Sequence, residues 1–183
     1  MNSTPVDTEE EVFEARRLCE ADAWPEVLDF ARAWQAENPT DYRALYYMAL
    51  GHTGLGQFVQ AETAYRRALE LDNSDAKVWS NLGGLLYEHL KRHVDGIRCV
   101  EQALKLNPTH KLGWANLAYM VGRLGHYHHA MTFADKALAL DSELVEAYLH
   151  KGAAAKALGK NEVLREVCGA LSALPPEKFH RAR

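Results

Sequence analysis

Residues 79–90 read WSNLGGLLYEHL, and residues 114–125 read WANLAYMVGRLG. The shared pattern, Trp-x-Asn-Leu-small, recurs after 35 residues. From Trp79, the residues Leu82, Gly83 and Leu86 fall three, four and seven positions on, which is one face of an α-helix. Trp114, Leu117, Ala118 and Val121 repeat that face. Leu45, Met48, Ala49 and His52 carry it upstream, and Tyr148, Lys151, Gly152 and Ala155 carry it downstream, each with one polar exception. The small residue is the sharpest marker. It stands at Ala15, Ala49, Gly83, Ala118 and Gly152, at spacings of 34, 34, 35 and 34 residues.

A second marker, Ala-Leu-x-Leu, stands at 68–71, 103–106 and 137–140, and a third, Leu-Gly, at 55–56, 124–125 and 158–159. Together they give two helices per unit. The first carries the aromatic and small stripe and closes at Leu-Gly, where glycine adopts a left-handed helix end at little cost. The second opens near Trp24, Phe58 or Tyr127 and ends in Ala-Leu-x-Leu. Pro39 and Pro108 follow such ends, and Pro25 suits a first helical turn. The small residue lets the two helices approach closely.

A unit of 34 residues built as Trp-x2-Leu-Gly, then Gly96, Ala103 and Pro108, resembles the tetratricopeptide repeat. The resemblance implies an all-α fold, a right-handed α-solenoid (TPR superhelix) of antiparallel helix pairs whose units stack because none can bury its apolar face alone. The whole chain, 1–183, reads as one domain. It has a degenerate unit at about 8–41, units at 42–75, 76–110, 111–144 and 145–176, and a tail at 177–183. Trp79 and Trp114 are expected in the core. The third unit carries one extra residue between Leu86 and Gly96, with Lys91 in place of the turn glycine, so its turn should differ locally. Asn73 and Ser142 stand where the family usually has proline.

Composition narrows the function. The net charge of −4 shows no sign of a nucleic-acid binder. It is uneven: residues 1–40 carry ten Asp and Glu against three Lys and Arg. Cys19, Cys99 and Cys168 are odd in number and far apart, which points to thiols in a reducing compartment, hence a cytoplasmic location. The first residues have no apolar secretory core, and no apolar run is long enough to span a membrane. No phosphate loop, Gly-x-Ser-x-Gly or His-Glu-x-x-His occurs, so neither enzyme activity, cofactor nor metal is expected. His89, His93, His126, His128 and His129 fall at the turns of neighbouring units and are expected as one edge cluster of surface residues.

At about 100° per residue, Asn81 lies about 200° round from Trp79, off the packing stripe, as Asn116 lies from Trp114. In the resembled family that face lines a concave groove. It would hold Arg43, Tyr46, Tyr47, Lys77, Asn81, Tyr87, Asn116, Tyr119, Arg123 and His150. An asparagine amide can pair with both sides of a peptide unit, so Asn81 and Asn116 would act as consecutive rungs along an extended chain. The family's carboxylate clamp is not expected, because only one of its five positions matches in either register. The function implied is an adaptor or scaffold that binds a peptide or segment of a partner protein. The alternatives are a self-assembling, homo-oligomeric scaffold and a small cytosolic chaperone for secreted or assembling proteins. Residues 1–40 would either cap the stack or lie across the basic side of the groove.

Overall fold

The computed structural model describes residues 8–181. Among them are ten α-helices and no strand. They run in pairs: α1 Glu9–Glu20 with α2 Trp24–Glu37, α3 Tyr42–Gly54 with α4 Phe58–Leu71, and α5 Ala76–Glu88 with α6 His93–Leu106. Then come α7 Lys111–Arg123 with α8 Tyr127–Leu140, and α9 Val145–Ala157 with α10 Asn161–Ala173. Each helix packs on the next in the chain, α1 also touches α3, α5 touches α7 and α7 touches α9, and α5 meets α3 through Asn81 and Tyr46. The result is an all-α solenoid. None of these helices is long and apolar enough to cross a membrane.

Short-range chemistry sets the helix ends. The carboxylates of Asp41 and Asp75 accept from the backbone N–H groups of Arg43 (3.0 Å) and Lys77 (2.8 Å), which caps α3 and α5. Gly56, Gly125 and Gly159 close α3, α7 and α9 with φ of 71°, 84° and 67°. Lys91 takes the same left-handed conformation, at φ 57°, in the third unit. The extra residue is absorbed there by a wider turn. The Arg92 N–H reaches back six residues to the Leu86 carbonyl, where its counterpart at Gln57 reaches back five to His52. A non-glycine residue in this region costs about 1–2 kcal/mol, part of which glycine returns through its freer unfolded chain. Lys91→Gly is therefore expected to raise stability by roughly 0.5–1 kcal/mol. A urea titration with an unchanged or lower midpoint would refute it.

The core lies between units. One cluster joins α1, α2 and α3 through Ala15, Val27, Trp34 and Tyr47. The next joins α3, α4 and α5 through Ala49, Tyr65, Leu82 and Leu86. A third continues through Tyr87, Val100, Leu117 and Met120, and a fourth through Ala137, Leu144 and Ala147. All five marker residues are buried, from Ala15 to Gly152. The expectation for the tryptophans is corrected. Trp79 and Trp114 are only half-buried, at the edge of the stack. Their indole N–H groups donate to the carbonyls of Asn73 (2.9 Å) and Pro108 (2.8 Å), and the Tyr148 hydroxyl donates to Ser142 (3.1 Å) in the same way. Each aromatic ring thus ties its helix to the loop six residues before it. That position supplies only a carbonyl, so proline, asparagine and serine serve alike.

Cys19 and Cys99 are half-buried, and Cys168 is exposed. Past α10, Pro176–Arg181 forms a 3-10 turn, and Lys178 pairs with Glu143 at 2.6 Å.

Candidate functional site: the concave face

The odd-numbered helices present their off-stripe residues to one side. Asn81 donates from Nδ2 to the Tyr46 hydroxyl at 3.1 Å, and Asn116 donates from Nδ2 to the Ser80 hydroxyl at 3.4 Å. Each asparagine leans on the helix of the preceding unit, and both contacts use the same pair of repeat positions. One N–H is engaged in each case. The Asn81 amide also engages the Tyr65 hydroxyl. The carbonyl oxygen of each asparagine accepts no hydrogen bond among the described residues and remains for another partner. Burial raises the pKa of the Tyr46 phenol well above its ordinary value, so the hydroxyl stays neutral.

Two cavities open on this face. The first, of about 410 Å³, is bounded by Tyr46, Lys77, Asn81, Asn116, Glu146 and His150, with Ser80 and Ala115 in its floor. The second, of about 490 Å³, lies between α7 and α9 and is bounded by Tyr119, Arg123, Tyr127 and His150 over a floor of alanine and glycine. His150 borders both, its ring 5.2 Å from that of Tyr119. Seven of the ten expected groove residues therefore line the two cavities.

The other three are corrected. Tyr47 is only 7% exposed and packs on Trp34 at 6.0 Å, its hydroxyl donating to the Val12 carbonyl at 3.4 Å. It occupies the repeat position of Asn81 and Asn116, but in its unit α1 lies against it. Tyr87 is 4% exposed and donates to the Met120 carbonyl at 2.9 Å, because α7 packs over that flank of α5. Arg43 pairs with Asp41 at 2.9 Å, donates to the Thr8 hydroxyl, and lies over the Trp34 ring. It belongs to the α1 end of the stack and borders neither cavity. Periodicity shows the faces of a single helix and is blind to which flank a neighbour covers.

Sequence reasoning missed His110, Tyr127, Ala153 and Ala157 as lining residues. Ala153 and Ala157 stand three and seven residues after His150, so the same helical face would have found them. His110 lies just before α7 and Tyr127 opens α8, and neither has a signal in the periodicity of one helix. The acidic first unit does not lie across the groove: α1 packs on α2 and α3 at the end of the stack. The preceding residues 1–7, which the expectation also included, lie outside the described residues. The histidines do not form one cluster. His89 stacks on Phe58 at 3.9 Å and His93 packs on Tyr87 at 4.5 Å, whereas His126 lies beside His129. Among the described residues no three His, Cys, Asp or Glu converge as a metal-binding set. Burial pushes the Cys19 thiol up to about 11 and raises that of Cys99, the opposite of what activates a nucleophile.

Burial lowers the pKa of His150, and burial followed by the charge of Lys77 lowers that of His110. For a histidine so depressed, the unfolded chain binds the proton more readily. The stability it contributes is complete above the ordinary value of 6.5 and is lost as pH falls below it. His150→Gln should therefore lose less stability than the native chain between about pH 7.5 and 5.5. Equal losses in paired thermal melts would show that the ring is not held neutral.

Residues 42–75 and 76–110 each match a tetratricopeptide repeat family model. The chain is a tetratricopeptide repeat protein. A stretch of 68 residues is 37% identical to the human protein O-mannosyl-transferase TMTC3, covering 37% of this chain and 7% of that protein. The chain thus corresponds to a small part of the curated relative it matches. Among solved structures it superposes on PilW, described as a widely conserved type IV pilus biogenesis factor, with a TM-score of 0.82 and 15% identity, over 96% of this chain and 82% of the other. It also superposes on YrrB, described as a tetratricopeptide protein with an unusual peptide-binding site, with a TM-score of 0.67 and 14% identity, over 96% and 92%. At such identities these likenesses establish the fold. That fold is one of protein–protein interaction scaffolds.

Proposed function

We propose that the concave face of this tetratricopeptide repeat protein binds an extended segment of a partner protein, with Asn81 and Asn116 as consecutive rungs. The observation that carries the reading is the repeated geometry of the two amides, each braced by the preceding helix and each bordering the first cavity. Packed helices lie about 8–10 Å apart. An extended chain rises about 3.3 Å per residue, so adjacent rungs meet peptide units about three residues apart. Lys77, Glu146 and His150 stand around the rungs to read side chains, and Tyr46 and Tyr119 add apolar contact with a polar tip. The reading treats residues 8–176 as one continuous five-unit domain. A peptide-binding site in YrrB, on the same fold, is consistent with it.

The test is a pull-down from the source cell's lysate with the native chain and with Asn81→Ala/Asn116→Ala, both shown to be folded by circular dichroism. The captured protein is then cut into overlapping peptides. One peptide should bind the native chain and bind the double variant about 30–150-fold more weakly. That is the loss of two hydrogen-bonded amides at roughly 1–1.5 kcal/mol each. Equal affinity for both chains would place binding elsewhere on the molecule.

A further inference from the structure

The second cavity has a chemistry that the asparagine pair lacks. It is about 490 Å³, within the range of sites that enclose a side chain or small ligand. Its floor includes Ala153 and Ala157, both exposed, so none of the described residues fills it. Its walls carry the rings of Tyr119, Tyr127 and His150. Rings attract a further ring at centroid distances of about 4.5–7 Å. Arg123 stands at the rim, exposed and without an ion pair among the described residues. Lys156, beside Ala157 on the same helix, is likewise exposed and makes no ion pair among the described residues. The Glu88 carboxylate is engaged by the Tyr119 hydroxyl. The open cavity is thus apolar within and positive at its rim.

We propose that this cavity is the specificity pocket of the groove: it takes a large apolar or aromatic side chain of the bound segment, and Arg123 pairs with an Asp or Glu flanking that residue. The proposal rests on the groove reading above. The pocket lies between α9 and the helix that carries Asn116, so the anchoring residue stands within about three residues of the peptide unit that Asn116 holds. Charge complementarity selects the acidic neighbour. The small floor selects a bulky residue, because an alanine there would leave the cavity empty.

A random library of displayed peptides of about twelve residues is panned against the native chain, Arg123→Glu, Ala153→Leu and Asn81→Ala/Asn116→Ala. Circular dichroism confirms that each is folded. Arg123 and Ala153 are exposed, so neither change disturbs the core. The native chain should enrich peptides with Phe, Tyr, Trp, Leu or Met beside Asp or Glu. Arg123→Glu should exchange the acidic preference for Lys or Arg. Ala153→Leu should weaken the selected peptide at least tenfold and leave a version with alanine at the anchor unchanged. An enriched set without the apolar–acidic pair overturns the pocket, as does the same set on Arg123→Glu and Ala153→Leu. If only the asparagine pair abolishes enrichment, the groove stands and the pocket falls. If the asparagine pair enriches the native set while Arg123→Glu shifts it, the pocket stands and the rungs fall. No enrichment on the native chain overturns both.

Discussion

Gly83→Ala lowers the unfolding free energy by about 2 kcal/mol, while Gly84→Ala, one residue on, raises it. A Cβ at Gly83 would lie 2.7 Å from the Gly96 carbonyl oxygen and 2.7 Å from Val100 Cγ2. A Cβ at Gly96 would lie 2.7 Å from the Gly83 carbonyl and 2.9 Å from Tyr87 Cβ. The obstacle is backbone on both sides, so α5 and α6 must separate. Overpacking of this kind costs about 1–3 kcal/mol, a clash with backbone falls at about 3, and the better helix propensity of alanine returns about 1 kcal/mol, which leaves about 2. At Gly84 nothing lies within 4 Å, so only the propensity gain acts. The neighbouring units hold Ala49 with Ala61 and Ala118 with Ala130 at the same positions, all buried. The third unit is therefore the one whose helices have closed onto a glycine pair. For a chain of this length the change in Tm should be a fall of roughly 4–8 °C. Equal and small shifts for Gly83→Ala and Gly84→Ala would mean that α5 and α6 slide apart freely.

The larger loss is expected from Leu86→Ala, about 3 kcal/mol. Leu86 is fully buried in the cluster that joins α3 and α4 to α5. Truncation removes the transfer free energy of its side chain and leaves a cavity, which together cost about 2–5 kcal/mol. In a linear stack the stability is a sum of unit terms and neighbour terms, and this residue serves the neighbour term. Besides a lower Tm, hydrogen exchange should therefore show residues 8–71 and the later helices opening at different free energies. A single cooperative transition with a cost under about 1 kcal/mol would show that the second and third units are coupled elsewhere.

The candidate site was partly legible in advance, for a definite reason. The position shared by Asn81 and Asn116 follows from helical geometry alone, and both line the first cavity as expected. Tyr47 shares that position and is lost to the core, since α1 has packed on it. Tyr87 is lost in the same way to α7. Lys77, Arg123 and His150 were found because their own helix points them outward. Tyr127 was not, because it enters the second cavity from an even-numbered helix whose turn brings it there. Arg43 was expected to serve a ligand and instead serves Asp41 and Trp34.

By itself the sequence determined the unit, its two helices and their ends. Helix periodicity, turn glycines and the 34-residue spacing are local properties that one strand of text carries in full. Only the tertiary structure decided which flank of each helix meets a neighbour. It turned Trp79 and Trp114 into loop ties and left two cavities joined at His150. Those outcomes depend on helix spacing, and that spacing is set by pairs such as Gly83 and Gly96, on separate helices, whose contact no single-helix pattern records.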